Sequence, residues 1–360
     1  MSTHAQTRWR DPLAPPPPRS DVTARRVVHS RGILTRTRAL THDTYELVIK
    51  NLPGSAPLHA RAGQFATLSV PGLSRPRPYS FARDPYSERT GEHTFYVRVV
   101  PGGEMSTWLA SSDRVGSPVD IAGPLGAFML DDSDAPMLFL AGGSGLSAVK
   151  ALAEEASRRQ LKRDCLFLYG ARTQRDLYAL NEIADIAASW HPTHRFTFMP
   201  VLSEEAPTSD WAGARGFVTD ALRSAVLERG LLPPASLRAW LCGPPAMIDA
   251  GRTLLRTHGV PEAQIVRDLF TDLRAPAPTL DNRRCLLCDE CLLVRPVAGC
   301  IVEASGIEIG LASARTIIPV LPTQTAGLYY HQLVIDDAQC IRCYACVHAC
   351  PHDALSVSDK

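Results

Sequence analysis

The sequence predicts a multidomain protein with three modules in series: an antiparallel β-barrel, a doubly wound α/β domain, and a small cysteine-dense α+β domain. Three observations predict this order. Short β-branched and aromatic runs, broken by Gly/Pro turns, fill the chain to about residue 130. Strand-like and helix-like segments then alternate, as a parallel sheet requires. Eight of the ten cysteines fall after residue 284.

The 360 residues are too many for one ordinary core, at ~100–200 residues per domain. The predicted boundaries are a proline-rich disordered tail at 1–23, the barrel at 24–130 and the α/β domain at 131–273. A linker at 274–281, carrying Pro276 and Pro278, precedes the cysteine module at 282–360. Basic and acidic residues nearly cancel, 38 against 37, which argues against a nucleic-acid or anionic-membrane binder. No run of 18 apolar residues is present, so no membrane span is expected. Cysteines confined to one end are not the pattern of a secreted disulfide scaffold, and a reducing, cytoplasmic setting is expected.

In the barrel region the strand candidates are VVHSRGILTRTRAL, TYELVIK, GQFATLSV and TFYVRVV. A Gly102-Gly103 turn then precedes a short helix, and such a turn at a helix N-terminus offers free N–H groups to phosphate. In the α/β region PMLFLA reads as a buried strand leading through Gly142-Gly143-Ser144-Gly145 into a helix. That geometry also turns backbone N–H groups toward a pyrophosphate, although a glycine turn in an α/β fold can be only a turn. CLFLYGA, HRFTFMPVL and LRAWLCG supply further strands, with helices between them.

The last module carries Cys340-x2-Cys343-x2-Cys346-x3-Cys350-Pro351, the bacterial ferredoxin spacing for [4Fe–4S] ligation. A structural zinc site is the alternative. An earlier run, Cys285-x2-Cys288-x2-Cys291-x8-Cys300, has the same triplet with a longer final gap and Ile301 after the last cysteine. In two-cluster ferredoxins the fourth cysteine ligates the other cluster. Cys285, Cys288, Cys291 and Cys350 are then one set, and Cys340, Cys343, Cys346 and Cys300 the other. The second set depends on Cys300 reaching back. His348 and His352 lie close enough to be substitute ligands, or are plain surface or structural histidines.

Arg77-Pro78-Tyr79-Ser80, the Gly103-x-x-Ser106 turn and Gly123-Pro124-Leu125-Gly126, in that order, resemble the ferredoxin–NADP reductase superfamily. The resemblance is to oxygenase-reductase flavoproteins, here fused to a C-terminal two-[4Fe–4S] ferredoxin domain. It implies that Arg77 pairs with flavin phosphate, Tyr79 packs on the isoalloxazine and Ser80 bonds near flavin N5. Pro78, Arg98, Gly102, Gly103, Met105 and Ser106 complete the implied FAD site. Gly142 to Gly145, Arg172, Asp176 and the Cys242-Gly243-Pro244 turn form the implied nicotinamide nucleotide site, with Cys242 beside the hydride position. Tyr79, Ser80 and Cys242 are thus the implied catalytic residues, and Phe270 an implied flavin cover. Ser203 is followed by Glu204 and Glu205, which would repel a 2′-phosphate and favour NADH over NADPH, although Arg172 could counter them.

The implied activity is NADH-dependent electron transfer through FAD and two [4Fe–4S] clusters to a protein acceptor, an oxygenase component by resemblance. A corrinoid or radical enzyme as acceptor, or a non-catalytic relay subunit, fits the same residues. Cys165 reads as a core thiol.

Overall fold

The computed structural model describes residues 27–111, 113–269, 276–281, 284–297, 299–311, 314–319 and 330–357. Two compact units emerge, one of them Val28–Phe270. The expected tail at 1–23 and the first part of the expected linker lie outside the described residues.

In the first unit β1 (Val28–Ala39), β2 (Thr44–Asn51), β3 (Phe65–Ser69), β4 (Arg77–Ser80), β5 (Glu92–Arg98) and β6 (Pro118–Leu125) form one antiparallel sheet, ordered β4-β3-β6-β1-β2-β5. A bridge between Phe81 and Phe95 joins the two edges, so the six strands nearly close. Alternating strand residues drive the closure by burying Leu34, Leu47, Ile49, Leu68, Phe81, Phe95 and Ile121 inside. Helix α1 (Glu104–Ala110) follows β5.

Six parallel strands make the second sheet: β7 (Met137–Gly142), β8 (Cys165–Ala171), β9 (Phe196–Leu202), β10 (Ala214–Arg215), β11 (Arg238–Gly243) and β12 (Ile265–Leu269). Helices α2 (Leu146–Arg158), α3 (Leu180–Ala188), α4 (Val218–Leu222) and α5 (Pro245–Thr257) connect them. The strand order is β10-β9-β8-β7-β11-β12. The chain works outward from β7 on one side, then returns to begin β11 on the other. The crevice at the carboxyl ends of β7 and β11 is therefore the switch point, where open α/β sheets bind ligands.

Barrel and sheet share a core. Ala62, Ala82, Tyr96 and Phe128 pack in one cluster with Phe139, Leu152 and Trp240. A charged seam reinforces it. Lys150 of α2 is fully buried and bonds Glu154 at 3.3 Å, and Glu154 also accepts the Asp84 N–H at 2.8 Å. Arg158 closes the seam on the Asp84 carboxylate.

On the barrel wall Glu88 lines a cavity of 290 Å³ with Arg36 and Arg83. Burial pushes Glu88 up from 4.5 to about 7, and neither carboxylate oxygen has a hydrogen-bond partner among the described residues. The folded chain holds a proton there that the unfolded chain releases at lower pH, so stability from the protonated form is lost as pH rises from 4.5 toward 7. Glu88→Gln removes that loss. Unfolding in urea at pH 4.5 and pH 8 should show the variant gaining roughly 3 kcal/mol on the parent between the two pH values. An equal difference at both refutes the assignment. Buried His93, pushed down to about 4, titrates with the opposite sign, so the comparison must be between parent and variant.

The second unit holds β13 (Thr279–Leu280), α6 (Glu290–Leu293), β14 (Ile301–Leu311), β15 (Ala314–Pro319), β16 (Tyr330–Ile335), α7 (Ala345–Ala349) and β17 (Leu355–Ser356). Residues 279–280, expected in the linker, pair with β17, and the Tyr344 hydroxyl bonds the Pro276 carbonyl at 2.9 Å. The last residues of the expected linker thus belong to this unit, because β17 needs a partner for its backbone groups. The sheet β15-β14-β16 separates the two cysteine runs in sequence.

Candidate functional site

The Arg-Pro-Tyr-Ser motif is all of β4, paired with β3 so that Ser80 faces Phe65 and Arg77 faces Leu68. Ser80 is 3% exposed, and its Oγ has no hydrogen-bond partner in the protein. Buried hydroxyls are rarely left so, and one at a strand end in a cofactor fold points to a ligand partner. Tyr79, half-buried against the barrel core, is held neutral by burial. Pro78 is exposed beside it.

Arg77 donates to the Glu104 carboxylate at 2.9 Å, and Ser74 donates to the same oxygen through N–H and Oγ. Its guanidinium thus already binds an anionic oxygen at the first turn of α1, the chemistry a phosphate would present. Gly102 takes φ +73°, which permits the tight turn into α1. Met105 is buried in the barrel core, and the Ser106 hydroxyl accepts the Val100 N–H at 2.7 Å. The first side chain thus serves the core and the second the turn.

At the switch point the two glycine turns press together. A Cβ on Gly145 would lie 2.2 Å from the Cys242 carbonyl oxygen, and one on Gly142 would lie 2.4 Å from Met247 Sδ and 3.0 Å from Pro244 Cδ. Gly143 has φ +52°, and its carbonyl accepts the Tyr178 hydroxyl at 3.1 Å. Ser144 is half-buried, its carbonyl taken by Ser147 Oγ. Gly243 sits at φ +152°, where a Cβ would strike Met247 and the Gly142 backbone. Cys242 is fully buried, and its Sγ lies 3.9 Å from Asp268 Oδ2 on the next strand. Burial keeps the thiol protonated and pushes Asp268 up to about 6. Cys242 is therefore a neutral donor, not a thiolate nucleophile. Phe270 lies outside the described residues.

Arg98, Arg172 and Asp176 converge through a residue that sequence reasoning missed. Asp43 accepts Arg98 Nε at 3.0 Å and lies 3.6 Å from Arg172, which also contacts Asp176 at 3.3 Å. Burial pushes Asp43 up, but hydrogen bonds from Thr44, Arg98 and Thr41 outweigh it and hold the carboxylate charged. Asp176 itself caps its turn by accepting both Thr173 groups at 2.8 Å. Arg98 also approaches the Gly143 turn, 3.8 Å from where a Cβ would stand. Asp43 and Tyr178 carry no motif; only their contacts reveal them. Farther out, Glu205 accepts two Gln174 hydrogen bonds, and Asp210 a third, making an acidic rim beside Arg172.

In the second unit the thiols sort by neighbourhood. Burial pushes Cys291 up to about 12, and Cys285, Cys288 and Cys350 add to that rise. Cys343, also held at about 12 by burial, feels Cys300 and Cys340. Cys346 is raised by burial and by Cys343, Cys291, Cys340 and Cys300. Cys350 thus neighbours the first run and Cys300 the second, while Cys346 also neighbours Cys291. Among the described residues the one trio of ligand-type side chains within 4.8 Å is His42, Asp43 and Asp176, whose carboxylates Arg98 and Arg172 already neutralise.

Both triplets have the same backbone. Leu287 and Asp289 flank Cys288 with φ of 51° and 62°, and Arg342 and Tyr344 flank Cys343 with φ of 59° and 54°. Four non-glycine residues in this disfavoured region, at matched places, mark a chain forced to coil. Asp281 accepts the Cys285 N–H as Asp336 accepts that of Cys340. The halves repeat at an offset of 55 residues, which sets Arg295-Pro296 against Cys350-Pro351. The proline of the motif is therefore present in the first half, at 296 rather than after Cys300. Arg295 occupies the usual cysteine position.

Among the described residues no helix is long and apolar enough to cross a membrane. Family models match an oxidoreductase FAD-binding domain over residues 31–130, an oxidoreductase NAD-binding domain over 139–253 and a 4Fe-4S binding domain over 333–356. The chain is similar to the xylene/toluene monooxygenase electron transfer component XylA of Pseudomonas putida, 36% identical over 68% of this chain and 66% of that protein. It is 38% identical to the aromatic O-demethylase reductase subunit of Amycolatopsis sp. (strain ATCC 39116 / 75iv2), over 72% of this chain and 76% of that one. Among solved structures, the Amycolatopsis cytochrome P450 reductase GcoB superposes with TM-score 0.60 at 33% identity, covering 68% of this chain and 70% of that one. The ferredoxin reductase of carbazole 1,9a-dioxygenase gives 0.59 at 29%, over the same shares.

Proposed function

Since the chain belongs to the ferredoxin reductase family of FAD- and NAD-binding oxidoreductases, we propose that it is the NADH-dependent reductase component of an oxygenase system, delivering electrons to a protein acceptor through FAD and two [4Fe–4S] clusters. The carrying observation is the eight cysteines of the second unit, four of them within a 4Fe-4S binding match, in a chain that also holds both nucleotide-binding domains. FAD takes a hydride as an electron pair and yields electrons singly, which side chains cannot do.

The protein's own residues bind and orient. Arg77 and the N–H groups at the start of α1 hold phosphate charge. Tyr79 and Ser80 set the ring at the end of β4. The Gly142–Gly145 turn carries the pyrophosphate of the second nucleotide, and the Cys242 turn beside it positions the nicotinamide. The Arg98–Asp43–Arg172 bridge links the barrel to the end of β8. Glu204, Glu205 and Asp210 leave no welcome for a 2′-phosphate, which favours NADH. The eight thiols suit a reducing, cytoplasmic setting.

The test is anaerobic purification followed by metal and flavin counting. One FAD and about eight iron atoms per chain are expected. Near four iron atoms overturns the two-cluster reading. Turnover of ferricyanide with NADH, and a larger kcat/KM for NADH than for NADPH, are expected as well. Absence of turnover with both nucleotides makes the chain a relay.

Ser80→Ala tests the flavin contact. No protein group loses a partner, so the unfolding free energy of the flavin-free chain should change by less than about 1 kcal/mol. Flavin reduction by NADH, followed by stopped flow, should slow by about 10–100-fold. An unchanged rate removes Ser80 from the reaction.

A further inference from the structure

The residues interleaved with the two cysteine triplets differ in charge, and the internal repeat shows how. In the first triplet, residues 289 and 290 between the cysteines are Asp and Glu; at the matching places 344 and 345 the second triplet has Tyr and Ala. Glu290 is only 9% exposed, and Asp289 directly follows Cys288 in the left-handed coil of the triplet. At the place of Leu287 the second triplet has Arg342, 6% exposed, which donates to the Cys340 carbonyl at 2.7 Å and to Asp337.

The fourth ligand sharpens the contrast. The Asp281 N–H bonds the Ala354 carbonyl at 2.8 Å, and its counterpart Asp336 bonds the Cys300 carbonyl at 3.0 Å. Cys300 thus stands where Ala354 stands in the other half, one turn beyond the usual cysteine place. Arg295 fills that usual place, half-buried, with its guanidinium on the Ile301 carbonyl. That carbonyl belongs to the residue that follows Cys300, so the guanidinium stands close to this thiol in the chain. Displacing the cysteine by one turn has admitted a cation beside the second set.

Resting on the two-cluster reading above, we infer that Arg295 and Arg342 make the Cys300/Cys340/Cys343/Cys346 cluster the higher-potential one, while Asp289 and Glu290 make the Cys285/Cys288/Cys291/Cys350 cluster the lower. Reducing a cubane adds one electron, supplied by the NADH-reduced flavin, and breaks no bond. The added negative charge is stabilised by nearby guanidinium and opposed by nearby carboxylate, and partial burial limits screening. An electron entering the unit therefore comes to rest on the Arg295 side, and the low-potential cluster fills second.

An EPR-monitored potentiometric titration of the anaerobic full chain tests this, after iron counting. Two resolved one-electron steps are expected. Arg295→Gln should move only the upper step, to lower potential. Asp289→Asn, which keeps a residue tolerant of positive φ, and Glu290→Gln should each move only the lower step, upward. About eight iron atoms with one unresolved step, or with Arg295→Gln moving the lower step or neither, overturns the ordering. About four iron atoms overturns the two-cluster reading itself, so the two failures are distinct.

Discussion

Cys343→Ala should stop electron delivery to a protein acceptor, by more than about a hundredfold, and leave NADH-to-ferricyanide turnover within about twofold of the parent. The separation follows from the two compact units. The flavin and nucleotide motifs lie in Val28–Phe270, and every thiol of the two sets lies after it. Cys343 is the middle cysteine of its triplet, between Arg342 and Tyr344, both in the left-handed region. In the proposed cluster, iron–sulfur bonds would compensate that strained coil, and with one ligand gone the coil would lose its support. Iron should fall from about eight atoms to about four per chain. The measurement is iron analysis with steady-state rates on both acceptors. A parallel loss of ferricyanide turnover sinks the idea that hydride chemistry is independent of the clusters.

Gly145→Ala should lower kcat/KM for NADH by about a hundredfold without loss of bound FAD. The new Cβ would lie 2.2 Å from the Cys242 oxygen, 2.4 Å from its carbonyl carbon and 2.7 Å from the Gly243 nitrogen. All three are backbone atoms, so no rotamer change relieves the clash. The β7 and β11 turns must part by something near an ångström, and in the proposed site the crevice between them is where the nicotinamide would be aimed. Such overpacking costs about 1–3 kcal/mol of stability as well. Gly54→Ala is the control: its φ is +81° and nothing lies within 4 Å of the added carbon, so it should cost about 1 kcal/mol and leave NADH kinetics alone. Stopped-flow flavin reduction at several NADH concentrations separates binding from rate. A Gly145→Ala enzyme with parental kinetics rules out close apposition of the two turns.

Much of this site is legible in the sequence because its chemistry is local. Cys340-x2-Cys343-x2-Cys346 is a backbone coil written in seven residues. Gly142 to Gly145 is a strand-to-helix turn written in four, and strand–helix alternation announces the parallel sheet. The repeat at 55 residues is legible too, and matching residue to residue across the two halves is enough to set Arg295 and Pro296 against Cys350 and Pro351.

Other features have no local mark. Asp43 follows β1 and reaches Arg98 and Arg172, 55 and 129 residues away in the chain. The Tyr178 hydroxyl finds a carbonyl 35 residues earlier. The lack of a partner for Ser80 is a property of everything around it. In the second unit the spacing named the cysteines but left Cys300 open, and the long-range pairing of β14 with β16 brings it beside Cys340. The sequence by itself determined the three modules, the cofactor-bearing turns and the ligand residues, because glycine freedom, strand and helix period and cysteine spacing act within a few residues. The tertiary structure alone decided which residues stand beside each cysteine run and which carboxylate gathers the arginines. Those depend on contacts between segments far apart in the chain, and only the burial of a common core brings such segments together.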